Sequence, residues 1–67
     1  MLREILEKDL IKNLIKDFEK HDIFVKTCLG NGIVEDVDKE NKTLWFRDVN
    51  DTLIEVDFNC VKDYKII

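Results

Sequence analysis

The sequence predicts an α+β domain that is mainly β, with an N-terminal helix followed by a five-stranded antiparallel small barrel. Residues 2–20 contain no glycine or proline and space their apolar residues three and four apart, which is typical of a helix. Residues 23–67 alternate apolar and polar residues between clusters of Asp, Asn and Lys, which is typical of short antiparallel strands. A chain of 67 residues suffices for one domain, so we interpret residues 1–67 as a single domain.

The apolar stripe of the predicted helix changes sides along its length. At about 100° per residue, one face carries Leu10, Ile11, Leu14, Ile15 and Phe18, and nearly the opposite face carries Leu2, Ile5 and Leu6. Either Asp9 caps a second helix after a break, or one continuous helix packs its second half on its own domain and offers its first half to a partner. A frayed N-terminus with incidental apolar residues is a third interpretation.

The predicted strands follow the polar breaks. Strand one spans residues 23–29, and the segment 30–32 (Gly-Asn-Gly) supplies the positive φ angles of the turn after it. Adjacent apolar residues at Ile33 and Val34 predict a bulge or bend in strand two, and Asn41 is the predicted left-handed residue of the next turn. The remaining predicted boundaries are strand two at 33–38, a helical turn at 59–63 and strand five at 64–67.

The alternation also predicts a register for strands three and four, which are joined by the loop 49–51. The inward residues are Leu44, Phe46, Ile54, Val56 and Phe58, with Leu44 opposite Val56 and Phe46 opposite Ile54. The same register places Trp45 opposite Glu55 and Arg47 opposite Leu53 on the outer face. A slip of one residue would set Phe46 against Glu55, so burial favours this register.

Composition narrows the class of protein. With 15 acidic and 11 basic residues the net charge is −4, which argues against a sequence-independent nucleic-acid binder. No apolar run is long enough to span a bilayer, and we expect a cytoplasmic protein.

Cys28 and Cys60 lack CxxC spacing, so we expect free thiols and no metal or other cofactor. The chain lacks Ala and Pro and is rich in Lys, Asn, Asp and Ile, which suggests an AT-rich bacterial or phage genome.

The order of elements resembles that of the small Sm/Tudor-type (SH3-like) barrels, and the pattern of residues looks like the C-terminal barrel of YolD-like proteins. The residues that carry the resemblance are Gly32-Ile33-Val34, Val37-Asp38, Leu44-Trp45-Phe46, Ile54 and Val61 to Ile66. Membership would imply an adaptor or regulator, by analogy of fold. The segment Leu29–Ile33 is shorter than its counterpart in Sm proteins, which argues against an RNA-binding ring.

No catalytic set is visible in the sequence. His21 follows the helix, where a solvated imidazole is expected. Asp36, Asp38 and Glu40 resemble the first half of a calcium loop, but its glycine is missing, and Arg47 stands where a bidentate glutamate belongs. We therefore interpret these three acids as turn residues that help to make one wall of the barrel negative, which favours basic partners.

The candidate partner-binding residues are Trp45, Arg47, Leu53 and Glu55, since an exposed aromatic beside an arginine is typical of interface hot spots. Alternatively, the helix covers Trp45. Leu2, Ile5 and Leu6 are the candidate oligomer or partner face, with a dimer expected.

The predicted function is a non-enzymatic protein-interaction module, a bacterial or phage regulator or adaptor. The alternative is an Sm-like module for single-stranded RNA or DNA, with Trp45 or Phe24 stacking on bases and phosphate contacts from Lys20, Lys26, Lys42, Arg47, Lys62 and Lys65. A small thiol-dependent enzyme is a third hypothesis.

Overall fold

In the computed structural model, one helix packs on a five-stranded antiparallel sheet. The structure describes the backbone of residues 2–67 and the side chains of residues 10–67. The elements are α1 (Leu2–Phe18), β1 (Ile23–Thr27), β2 (Gly30–Asp38), β3 (Thr43–Arg47), β4 (Leu53–Asp57), a 3₁₀ turn (Phe58–Cys60) and β5 (Val61–Ile66). The strand order is β4-β3-β2-β1-β5. The predicted class, α+β and mainly β, is confirmed.

The sheet is open, so the predicted barrel is wrong. β4 and β5 are its two edges and are not paired with each other. Strands lie about 4.8 Å apart, which would separate the edges of a flat five-stranded sheet by about 19 Å. The four peptide steps from Asp57 to Val61 span at most about 14 Å. The sheet must therefore bend so that its edges approach at the 3₁₀ turn, but no ladder of hydrogen bonds closes it.

The helix is continuous from Leu2 to Phe18, so of the alternatives left open by the sequence the break at Asp9 is excluded. Leu14 is fully buried in the core, and Leu10, Ile11 and Phe18 pack against that core. The second half of the helix therefore covers the concave face of its own sheet. Leu2, Ile5 and Leu6 lie outside the residues whose side chains the structure describes.

The predicted register of β3 and β4 is confirmed at every position. Leu44 pairs with Val56 and Phe46 with Ile54 on the inner face, and Trp45 pairs with Glu55 and Arg47 with Leu53 on the outer face. The predicted irregularity in β2 is also present, as a register shift between Val34 and Asp36 that leaves Glu35 unpaired. The buried core comprises Leu14, Ile23, Val25, Val34, Leu44, Phe46, Val56 and Val61.

Gly32 lets β2 lie tightly against β3 and the core. A Cβ at this position would fall onto the carbonyl oxygen of Arg47 and 2.8 Å from the Phe46 ring carbon Cδ2. Gly30 has a positive φ of +134°. Residues 30–32 nevertheless belong to β2 and pair with β1, and the turn lies at Cys28 and Leu29, so the predicted position of the turn is wrong. The left-handed residue of the β2–β3 turn is Lys42, with φ of 58°, and not Asn41 as predicted.

Cys28 and Cys60 form a disulfide, with their Cα atoms 5.3 Å apart, so the prediction of free thiols is wrong. The bond joins the end of β1 to the start of β5. The Cys28 N–H also donates to the Cys60 carbonyl oxygen at 3.0 Å. The disulfide therefore fastens the 3₁₀ turn to β1 at the end of the β1–β5 ladder.

A side-chain hydrogen bond ties the end of the helix to the β5 edge. The Tyr64 hydroxyl donates to Asp17 Oδ2 at 2.8 Å. Burial, the hydrogen bond to Asp17 and the negative charges of Asp17 and Asp63 together raise the pKa of Tyr64 to about 12. The pKa rises first because burial disfavours the charged phenolate, and also because ionisation would set that phenolate against these carboxylates.

Replacing Phe46 by alanine should lower the free energy of unfolding by about 3–5 kcal/mol, because the side chain is fully buried and leaves a cavity. Urea denaturation followed by circular dichroism measures the loss. Val49→Ala is the matched control, since Val49 is 94% exposed and its truncation should cost less than about 0.5 kcal/mol. A Phe46→Ala variant that melts within a few degrees of wild type would contradict the described core.

The disulfide should contribute about 3–4 kcal/mol to stability, because it closes a loop with a sequence separation of 32 in the unfolded chain. A dithiol reductant should lower the urea midpoint of the wild-type protein. It should not affect the Cys28→Ser, Cys60→Ser double variant, which should start from the lower midpoint. Free thiols detected by mass labelling in denaturant without reductant would show that the bond does not form.

The phenol of Tyr64 should ionise well above its ordinary pKa of 10.0. Because the folded state holds this proton more tightly than the unfolded chain, the associated stability is complete below pH 10.0 and is lost as the pH rises towards about 12. Tyr64 is the sole tyrosine of the sequence, so phenolate absorbance reports it directly. Asp17→Asn should lower this pKa, and equal titration curves for the two proteins would contradict the bond.

Candidate protein-interaction site

Trp45 lies on the outer, convex face of the sheet. Along β3, Leu44 and Phe46 are fully buried on the inner face, so the half-exposed Trp45 and Arg47 between and beside them point the other way. Trp45 pairs with Asp36 of β2 on one side and Glu55 of β4 on the other. The indole therefore stands between two carboxylate side chains of neighbouring strands.

The hydrogen bonds at the ends of the β3–β4 ladder show which pairs are closely spaced. The Asp48 N–H donates to the Thr52 carbonyl oxygen at 3.0 Å, and the Phe58 N–H donates to the Lys42 carbonyl oxygen at 2.9 Å. Because hydrogen-bonded and non-hydrogen-bonded pairs alternate in antiparallel strands, Trp45–Glu55 is a non-hydrogen-bonded pair. Side chains of such pairs are the closer ones, so Glu55 lies beside the indole ring.

Further acids extend the negative charge around Trp45. In the next cross-strand row, Thr43 of β3 pairs with Asp38 of β2 and with Asp57 of β4. We call Asp36, Trp45, Glu55 and Asp57 the acidic tryptophan face. The position of the β2 bulge could not be predicted from the sequence, and a regular strand would have turned Asp36 inward beside Val34. The bulge at Glu35 returns Asp36 to the outer face opposite Trp45.

Arg47 does not offset this charge at Trp45, because two other acids engage it. Its Nε lies 3.5 Å from Glu35 Oε2, and its Nη1 lies 3.3 Å from Asp51 Oδ1 and 3.2 Å from the Asp51 carbonyl oxygen. Leu53, its partner in β4, is 45% exposed. The structure thus places all four predicted binding residues on one face. Their role in binding stays a prediction.

The described part of the helix does not cover Trp45. Leu14 packs in the core with Leu44 and Phe46, which lie on the opposite face of β3. Of the two alternatives left open by the sequence, the described residues favour the one in which the helix leaves Trp45 uncovered, and the indole is half-exposed.

Asp38 acts in the turn after β2. Its Oδ1 accepts from the backbone N–H groups of Glu40 and Asn41 at 3.1 Å each, and its Oδ2 accepts from Asn41 Nδ2 at 2.8 Å. These hydrogen bonds hold the pKa of Asp38 below its usual value. The largest effect comes from the backbone N–H of Asn41, followed by the Asn41 side chain and the backbone N–H of Glu40. Within the described residues no group of three or more His, Cys, Asp and Glu side chains is placed to hold a metal ion.

The residues proposed for nucleic-acid binding are dispersed. Lys65 Nζ lies 5.7 Å from the centre of the Phe24 ring on the outer face of β1 and β5. Lys26 pairs with Asp63, which puts a carboxylate in the same patch. The structure separates this patch from Trp45, which sits among acids. The two aromatic residues considered for base stacking thus have opposite electrostatic surroundings.

The groups considered for catalysis are not assembled. His21 is exposed after the helix. Cys28 and Cys60 are bonded to each other, so neither presents a thiolate while the disulfide is intact.

Comparison with known proteins gives no relative from which to transfer a role. No protein-family model, curated protein or solved structure matches the chain. The candidate site therefore rests on its own geometry.

The part of the chain that the structure describes contains no helix with the length and apolar character needed to cross a membrane.

Proposed function

We propose that this chain is a non-enzymatic protein-interaction module that binds a basic segment of a partner protein through the acidic tryptophan face. The observation that supports the proposal is the cross-strand row Asp36–Trp45–Glu55 on a face that the described helix leaves uncovered. Nothing in this function requires a cofactor.

The chemistry of that row suits a cationic side chain. A Lys or Arg over an indole gains a cation–π interaction, and a carboxylate beside the ring adds a charge-assisted hydrogen bond. Asp36 and Glu55 flank the ring on both sides, and Arg47 is already paired with Glu35 and Asp51. The same negative charges repel phosphate groups, which favours a basic protein over a nucleic acid at this face.

A second candidate function rests on the Phe24–Lys65 contact. An aromatic ring beside lysines can stack on a base while the lysines contact phosphates, as single-stranded RNA or DNA requires. Asp63 opposite Lys26 weakens this patch, and the net charge of −4 opposes phosphate binding in general. We therefore place this function second.

The proposal retains the adaptor or regulator role that a YolD-like or Tudor-type relative would have, in a bacterium or phage. A homodimer through Leu2, Ile5 and Leu6 belongs to the same proposal. A cytoplasmic location is also retained. In that compartment, reductants would act on the Cys28–Cys60 disulfide. Disulfides are more usual in oxidising compartments, so the redox state of the pair in cells tests the location.

Trp45→Ala should weaken binding of a lysine-rich peptide at least about tenfold, as expected for an aromatic hot spot. Isothermal calorimetry measures the affinity, with an otherwise equal glutamate-rich peptide as the ligand control. Phe24→Ala is the matched protein control, since it removes the other outer-face aromatic and should leave the peptide affinity unchanged. Equal affinities for wild type and Trp45→Ala would overturn the proposal. Tight binding of single-stranded RNA with a steep salt dependence, lost in Phe24→Ala, would support the second candidate.

A further inference from the structure

The two edges of the sheet differ in how well they resist pairing with another strand. β5 carries Lys62 and Lys65, and its register with β1 is broken at Lys26/Thr27. Lysines and bulges are devices by which proteins protect edge strands. β4 has neither a lysine nor a proline, and its register with β3 runs unbroken from Leu53 to Asp57. β4 is therefore the unprotected edge.

The backbone of β4 presents regularly spaced polar groups on its free side. Since Thr52 and Phe58 are in hydrogen-bonded pairs with β3, the N–H and C=O groups of Leu53, Glu55 and Asp57 point away from β3. No other strand of the described chain pairs with these groups, although the Asp57 carbonyl oxygen accepts the first hydrogen bond of the 3₁₀ turn. They form a template for one more strand.

The side chains of the same three residues lie on the outer face with Trp45. Reading along β4, this face presents an exposed leucine and then two exposed acids, Glu55 and Asp57. Neither acid has an ion-pair partner among the described residues, whereas Arg47 in β3 has two. A strand added to β4 would gain from an apolar side chain beside Leu53 and basic side chains beside the acids.

From these observations we infer that β4 accepts an extended segment of a partner protein as a sixth strand. The segment carries Lys or Arg at two alternating positions and an apolar residue at the next alternating position. The inference rests on the proposed function and names its ligand. Backbone hydrogen bonds would hold the segment, and the alternating side chains would give specificity. The nearer basic side chain would also reach the Trp45 ring, which Glu55 adjoins.

A second copy of this chain fits the edge less well. The outer face of its β5 carries Asp63 and Lys65, and the outer face of its β4 carries Glu55 and Asp57. The β4 edge of a second copy would bring carboxylates against Glu55 or Asp57, and like charges directly opposite each other destabilise a strand pair. Its β5 edge offers one lysine beside an acid, and not the two basic positions that Glu55 and Asp57 favour. The occupant is therefore a basic segment of a different protein.

The test uses a symmetric synthetic peptide with the pattern Val-Thr-Lys-Thr-Lys-Thr-Val, which matches β4 in either direction. One analogue carries backbone N-methyl groups on both Lys residues, and another carries them on the flanking Thr residues. Strand addition uses one set of N–H groups, so one analogue should lose at least about tenfold in affinity and the other should bind as the parent does. The sensitive analogue also reports whether the added strand is parallel or antiparallel.

Protein variants test the same edge from the other side. Glu55→Lys should abolish peptide binding, and Asp63→Lys on β5, the same change of charge at the opposite edge, should not. Glu55→Thr and Glu55→Pro both remove the carboxylate, but only proline removes the outward N–H, which β3 does not use. Glu55→Pro should therefore bind more weakly than Glu55→Thr, with circular dichroism and the urea midpoint verifying the fold of each.

The outcomes separate the inference from the proposed function. Parent peptide binding that is lost in Trp45→Ala but insensitive to both N-methyl patterns would overturn strand addition and leave the proposed function standing. No binding of the parent peptide would overturn both. A wild-type dimer seen by light scattering that Glu55→Lys dissociates would show that a second copy occupies β4, which would also overturn the inference.

Discussion

Burial of Leu44 and Phe46 is the constraint from which the rest of the sheet follows. Both side chains are fully buried, and they occupy alternate positions of a five-residue strand. A shift of one residue would expose both, so the register of β3 with its neighbours has a single favourable setting. Because side chains alternate, this setting also places Trp45 on the outer face between Asp36 and Glu55. One constraint, the burial of Leu44 and Phe46, thus determines both the packing of the core and the residues that surround Trp45.

The 3₁₀ turn draws the two edges of the sheet towards each other without closing it, and the disulfide anchors the end of that turn. The turn carries the chain from the β4 edge to the β5 edge within three residues. At its end, the Cys28–Cys60 bond fastens the chain to β1. This link reinforces the existing β1–β5 ladder and leaves β4 and β5 unpaired with each other. The free side of β4 consequently keeps its polar groups available, which a closed barrel would have used.

The sequence predicted those parts of the fold that follow from the alternation of apolar and polar residues within neighbouring strands. The β3–β4 register could be predicted because a slip of one residue would pair the apolar Phe46 with the charged Glu55. The bulge could be expected from adjacent Ile33 and Val34, but its position at Glu35 depends on how β2 pairs with β3. The outward placement of Asp36 depends on the same pairing, so it could not be predicted either. The disulfide joins cysteines 32 positions apart, and nothing in their spacing indicates that β1 and the 3₁₀ turn meet. Closure of the barrel was inferred from the order of elements, which an open sheet shares.

The distribution of charge over the outer face decides where a basic segment would settle. On the β1–β5 side, Lys65 lies over Phe24, and Lys26 is beside it in β1. On the β2–β4 side, the exposed acids cluster around Trp45, and Arg47 is neutralised by Glu35 and Asp51. A basic strand is therefore repelled from one edge of the sheet and attracted to the other. The unprotected backbone edge is the attractive one, so electrostatics and backbone geometry favour the same strand, β4.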